Sequence, residues 1–166
     1  MDKKDKIKPK SANQTPDPQI TDPAIPDGIQ VTLDLQHPLF ATVEYENGDR
    51  YVGEYSASDL DNRLMRNGVG KYVTFDGHLY SGHWKNNKLS GPICLHVWPL
   101  MNVHYKGEML DGQYHGEGEY SDGKIHYFGR FCNGTMCGPG VLTDCLGGRW
   151  TAVQNRNNTL RFWLRS

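Results

Sequence analysis

The sequence predicts an all-β fold: an elongated, curved, single-layer antiparallel sheet of repeated β-hairpins, a solenoid behind a disordered N-terminal tail. Three observations carry this prediction. Short runs alternate with strand period two, glycine-marked turns separate them, and a tyrosine–x–glycine frame recurs along most of the chain. The 19 glycines among 166 residues exceed the share of about 7% usual in globular chains. Many fall inside strand-like runs, where glycine weakens a sheet unless something packs over it.

Residues 1–28 read as the tail. Five lysines stand in the first ten residues and five of the nine prolines lie between Pro9 and Pro26. Too little apolar side chain is present to offset the entropy of ordering this segment. Its Lys3–Lys10 run is a candidate for weak contact with an anionic membrane. Residues 29–46 supply capping strands. Ile29, Val31, Leu33 and Leu35 alternate with Gln30, Thr32 and Asp34, and His37-Pro38 breaks that run. Leu39–Tyr45 then resumes as far as the Asn47-Gly48 turn.

The repeats follow at about 47–76, 77–99, 102–122 and 123–144, with a partial repeat and C-terminal cap over 145–166. Each copy leads with tyrosine–x–glycine–x–aromatic, then a turn, then glycine–x–glycine. The first is Tyr51, Gly53, Tyr55, Gly68, Gly70. The second is Tyr80, Gly82, Trp84, Asn87, Gly91, with Ile93 in place of the final glycine. The third is Tyr105, Gly107, Met109, Gly112, Gly116, Gly118, closing on Tyr120. The fourth is Tyr127, Gly129, Phe131, Gly134, Gly138, Gly140. A fifth starts at Trp150 and decays through Ala152 and Gln154. The lead residues step by 29, 25, 22 and 23; the long first step comes from Ser56–Arg66, a polar, charged segment expected to loop out of the sheet.

The residues give a physical reason for the frame. A glycine opposite a ring leaves room for that ring to lie flat on the neighbouring backbone. Burying a ring contributes about 1.5–3 kcal/mol, more than the roughly 0.5–1 kcal/mol a strand glycine costs. Tyr105, Gly107, Met109, Gly116, Gly118 and Tyr120 are thereby placed on one aromatic face that a single layer covers only in part. Lys106, Glu108, Glu117 and Glu119 fall on a wet one.

The segments YVGEY, YSGHW with Gly91, YKGEMLDGQYHGEGEY and YFGRFCNGTMCGPG resemble the MORN (membrane occupation and recognition nexus) repeat, over roughly Gly48–Gln154. Several copies in phase make the match specific, and the Thr143-Asp144 to Trp150 ending resembles that of one short member. The resemblance implies a short repeat-only interaction protein in a cytoskeletal, ciliary or sperm setting. It also implies, as an alternative, a peripheral module that binds phosphoinositides, or a targeting subunit for a separate enzyme.

Other chemistries find weaker support. The net charge of −1 and pI near 6.6 argue against nucleic acid. No run approaches the roughly 20 apolar residues of a membrane helix and no leader is apparent, so a cytoplasmic setting is expected. The same reasoning expects Cys94, Cys132, Cys137 and Cys145 to be reduced thiols. Gly116-Glu117-Gly118 and Gly138-Pro139-Gly140 open no helix, which argues against phosphate loops. Asp111–Gly116 lacks the flanking helices and terminal glutamate of a calcium loop. Cys132, Cys137, Cys145 and His126 lack zinc-ligand spacing. No nucleophile motif stands with histidine and carboxylate. The reading is therefore non-enzymatic, with no cofactor and no metal. Structural glycines are Gly53, Gly82, Gly107, Gly116, Gly118, Gly129, Gly138 and Gly140. The candidate partner-binding face, a groove for a peptide or helix, comprises Tyr51, Tyr55, Tyr80, Trp84, Tyr105, Tyr120, Tyr127, Phe131 and Trp150. The C-terminal NTLRFWLRS suits a cap on the last repeat, as a strand or a short helix.

Overall fold

The structure is a computed structural model that describes residues 31–33, 40–57, 64–154 and 159–164. The tail expected over 1–28, with Lys3–Lys10, lies outside the described residues. So does most of the run expected over Ile29–Leu35, of which Val31–Leu33 is a strand.

Strands follow one another in chain order. They are β1 (Val31–Leu33), β2 (Phe40–Glu44), β3 (Arg50–Ala57), β4 (Leu64–Val73), β5 (Leu79–Lys85) and the two-residue β6 (Lys88–Leu89). Next come β7 (Gly91–Trp98), a 3₁₀ turn at Pro99–Met101, β8 (Val103–Leu110) and β9 (Gln113–Ser121). The last are β10 (Ile125–Cys132), β11 (Thr135–Asp144), β12 (Arg149–Gln154) and β13 (Leu160–Leu164). All pair antiparallel in one open sheet of order β1-β2-β3-β4-β5-β7-β8-β9-β10-β11-β12-β13, with β6 folded back on β5. At about 4.8 Å per strand step the sheet is roughly 50 Å across its strands. Each strand touches its sequence neighbours, the one-dimensional logic of repeat architectures.

Registration converts the tyrosine–x–glycine frame into two rows that cross the whole sheet. One row runs Val43, Tyr51, Tyr72, Tyr80, His96, Tyr105, Tyr120, Tyr127, Leu142, Trp150 and Leu164. Two residues along, the second runs Ala41, Gly53, Gly70, Gly82, then Cys94, Gly107, Gly118, Gly129, Gly140 and Ala152. The lead rings Tyr51, Tyr105 and Tyr127 lean across the glycines of the second. A Cβ on Gly118 would stand 2.6 Å from Cε2 of Tyr105, and one on Gly70 2.7 Å from Cε2 of Tyr51. The third frame residues, Tyr55, Trp84, Met109 and Phe131, close the same face and are all buried.

The two glycines of the glycine–x–glycine pair do different jobs, which corrects their assignment to one face. Gly116 has φ +57°, and a Cβ there would strike the Glu108 carboxylate on the outer face. Gly68, Gly91 and Gly138 likewise lie beneath Glu54, His83 and Arg130. In the first, third and fourth hairpins the register shifts between the lead strand's glycine and its third frame residue; in the second the shift falls at Gly91/Cys94. These are β-bulges, which bend and twist the strand.

Ser56–Arg66 is corrected too. Tyr55, Ser56 and Ala57 pair with Arg66, Met65 and Leu64, so the hairpin extends into the segment; 58–63 lie outside the described residues. Arg66 is fully buried. The strand continues because Arg66 takes the place that Leu89, Tyr114 and Met136 hold in later hairpins, its guanidinium packed on the rings of Tyr72 and Trp84 at 4.7 and 4.8 Å.

Hairpin tips are stitched in series. Asn86-Asn87, Asp111-Gly112 and Asn133-Gly134 all have positive φ at both positions, as a two-residue hairpin turn requires. The second residue of each donates its N–H to the preceding hairpin: Asn87 to Arg66 O (3.1 Å), Gly112 to Leu89 O (2.8 Å) and Gly134 to Tyr114 O (2.9 Å). The C-terminal segment is a strand, β13, paired to β12. Cys132 and Cys137 form a disulfide, contrary to the reduced pair expected. The tight Asn133-Gly134 turn sets their Cα atoms 5.6 Å apart, within bonding geometry.

Candidate functional site

The aromatic face is the part of the molecule where most large side chains converge. Tyr51, Tyr105 and Tyr127 are fully buried, and Tyr55, Tyr80, Trp84, Tyr120 and Phe131 are nearly so; Trp150 is half-buried. A single layer therefore covers its rings more completely than the sequence suggested. The rings lie flat over glycine and then cap one another edge-on. Phe131 stands at 88° to Tyr105 and 83° to Tyr127, and Trp84 at 90° to Tyr51.

Hydroxyls on this face are used internally. Tyr51, Tyr105 and Tyr127 donate to the carbonyl three residues on, at Glu54 (3.1 Å), Glu108 (2.6 Å) and Arg130 (3.4 Å). The hydroxyl of Tyr72 donates to the Asp49 carboxylate. Burial raises the phenols of Tyr51, Tyr55, Tyr72, Tyr105 and Tyr120 above their ordinary range and pushes Tyr127 up to about 12. Burial also pushes the Cys94 thiol up, so it is an apolar filler rather than a nucleophile. Groups held neutral by burial suit packing, not proton transfer.

What this face offers outward is a half-buried fringe: Trp98, Tyr114, Met136, Trp150, Leu160 and Phe162, all packed against the core. At the second hairpin it includes a ring cluster that the sequence frame missed. His96 stacks on Tyr80 (4.5 Å, 10°) and pairs with the Tyr114 hydroxyl through Nδ1 at 2.7 Å. His78 lies 4.7 Å from the Trp98 ring and 6.0 Å from His96. Burial, then the neighbouring His78, lowers His96 to about 4. The frame misplaced this cluster by one residue. Gly91 is followed by Pro92-Ile93-Cys94, one residue more than elsewhere; Cys94, not Ile93, takes the glycine place and Ile93 is exposed. Allowing for that insertion would have put His96 in the aromatic row.

Among the described residues, no group of three or more histidines, cysteines or carboxylates is placed to hold a metal ion. No described helix is long and apolar enough to cross a membrane.

Comparison with known proteins follows this architecture. The family model of the MORN repeat matches residues 80–92, 105–125 and 127–149, the second to fourth hairpins and the start of the fifth. The chain is also similar to phosphatidylinositol 4-phosphate 5-kinase 1 of Oryza sativa subsp. japonica, 34% identical over 68 residues. That stretch is 40% of this chain and spans 8% of the kinase's length.

Proposed function

This chain carries MORN repeats, and on that premise we propose that it is a non-enzymatic protein-interaction module, an adaptor or scaffold. Its partner presents an extended peptide or a helix to the aromatic face. A cytoskeleton-, cilium- or sperm-associated complex is the setting we propose for it, as the family resemblance suggests. The observation that carries the reading is the row of aromatic side chains crossing the sheet and ending in a half-buried fringe. Aromatic anchors half-exposed on a rigid base are the residue type that dominates binding energy at interfaces. The internally bonded, neutral hydroxyls and thiol argue for recognition over catalysis.

A second reading has its own support: the similarity to a phosphatidylinositol 4-phosphate 5-kinase favours a peripheral module near phosphoinositide membranes, or a targeting subunit beside a separate enzyme. Affinity capture from native tissue, run beside vesicle co-sedimentation, separates the two. We expect one stoichiometric protein partner, lost with Trp98→Ser and Phe162→Ser at a temperature where both variants remain folded. Salt-sensitive vesicle binding that disappears when residues 1–27 are deleted, with no such partner, would replace the adaptor reading with the membrane one.

A further inference from the structure

The outer face of the sheet changes character along the chain. Its central cross-strand row runs Thr42, Val52, Lys71, Ser81, Leu95, Lys106, Glu119, Phe128, Val141, Thr151 and Trp163. Through the first three hairpins charged and apolar side chains are mixed. From β10 onward the row carries no charge, and Phe128 and Trp163 stand 57% and 60% exposed. Two exposed rings on a sheet face leave apolar area in water without compensation from the core.

The rows on either side of this stripe carry cations. Towards one end of the strands lie Arg130, directly opposite Glu117, and Arg161, opposite exposed Val153. Towards the other lies Arg149, paired across from Thr143, with the His126 imidazole on that strand's far side. The carboxylate nearest the stripe, Glu119, is taken up by His126 at 2.6 Å. Among the described residues no carboxylate lies within ion-pair distance of Arg130, Arg149 or Arg161.

We propose that this arginine-flanked apolar stripe, Phe128–Val141–Trp163, docks an acidic amphipathic helix of a partner protein. The site is separate from the aromatic face and independent of what binds there. The dimensions fit. Three strand steps make a stripe about 14 Å long, the rise of about nine helical residues. The flanking rows lie two residues away, about 7 Å along the strands, within reach of side chains from a helix about 10 Å wide. An apolar helix face meets the rings, and carboxylates on both shoulders meet guanidinium forks suited to them. A second copy of this chain does not fit, because an isologous pair would set arginine against arginine. A flat bilayer is the competing occupant, and the vesicle arm of the test separates it.

The test is selection of displayed, randomised amphipathic-helix peptides against the full chain, with anionic and neutral vesicles and sedimentation of the protein alone as controls. Expected winners carry aspartate or glutamate on both shoulders of an apolar stripe. They lose at least tenfold in affinity against Phe128→Ser/Trp163→Ser and against Arg149→Glu/Arg161→Glu and keep it against Trp98→Ser, each variant being folded at the assay temperature. Basic winners, no enriched helix, or winners indifferent to both double variants would overturn the proposal. So would Trp163-dependent vesicle binding, which makes the stripe a membrane contact, or a Trp163-dependent dimer, which makes it a self-interface.

Discussion

The second and third hairpins use the same frame and solve it in opposite ways. In the third, Tyr105 lies over Gly107 and Gly118 and bonds forward to Glu108 O at 2.6 Å. In the second, Cys94 stands where Gly118 stands, and its Sγ would lie 2.9 Å from a Cβ on Gly82. Tyr80 then meets His78 Nδ1 behind it at 3.2 Å and stacks on His96, while the forward carbonyl of His83 accepts from Ser90 N–H at 2.8 Å. In these two lead tyrosines the direction of lean goes with what stands in the second row, glycine in the third hairpin and a thiol in the second.

Removing the ring should hurt most where it is cradled. Tyr105→Ala deletes a fully buried ring with two backbone hydrogen bonds, at an expected cost of about 4 kcal/mol. Urea unfolding checks it, and no loss would sever the link between cradle and stability.

The next largest effect belongs to the second hairpin alone. His96 titrates near 4 in the folded state against an ordinary 6.5. Below pH 6.5 the unfolded chain takes up the proton first, so stability is intact above about 6.5 and drains as pH falls towards 4. The loss is on the order of 3 kcal/mol. Tyr120, the counterpart of His96 in the third hairpin, is neutral throughout that window, because even an unburied phenol ionises only at about pH 10. Unfolding measured against pH should show the slope in the wild type and a flatter profile in His96→Phe; equal slopes would remove His96 from the account.

A smaller effect separates the fourth hairpin from the third. The Cys132–Cys137 bond closes a short loop at the tip, so reduction should cost about 2 kcal/mol by loop entropy. A Cys132→Ser/Cys137→Ser variant that matches the oxidised protein in urea would show the tip to be held by its turn alone.

Much of this was legible in the sequence. Asp111-Gly112 announces its hairpin because few residue pairs accept positive φ twice, and the spacing of Tyr105, Gly107 and Gly118 sets ring over backbone. Hidden were features that depend on register or on long-range packing. One extra residue after Gly91 moves the glycine place from Ile93 to Cys94, and strand period alone cannot register a bulge. Arg66 reads as a loop charge, yet three rings, Tyr72 on its own strand and Tyr51 and Trp84 on the strands either side, make its position a core site. The disulfide reflects how tightly Asn133-Gly134 turns rather than any compartment signal in the chain. The Phe128–Trp163 stripe joins residues far apart in sequence through four strands, so no local window contains it.

The most direct measurement is a double-mutant cycle on Gly118 and Tyr105, read by urea unfolding. The three nearest atoms to a Cβ on Gly118 all belong to Tyr105. Gly118→Ala should therefore cost about 2–3 kcal/mol in the wild type by overpacking. In a Tyr105→Ala background it should cost well under about 1 kcal/mol, a coupling of roughly 2 kcal/mol. Additivity within about 0.5 kcal/mol would mean that the glycine row is not there to receive the rings.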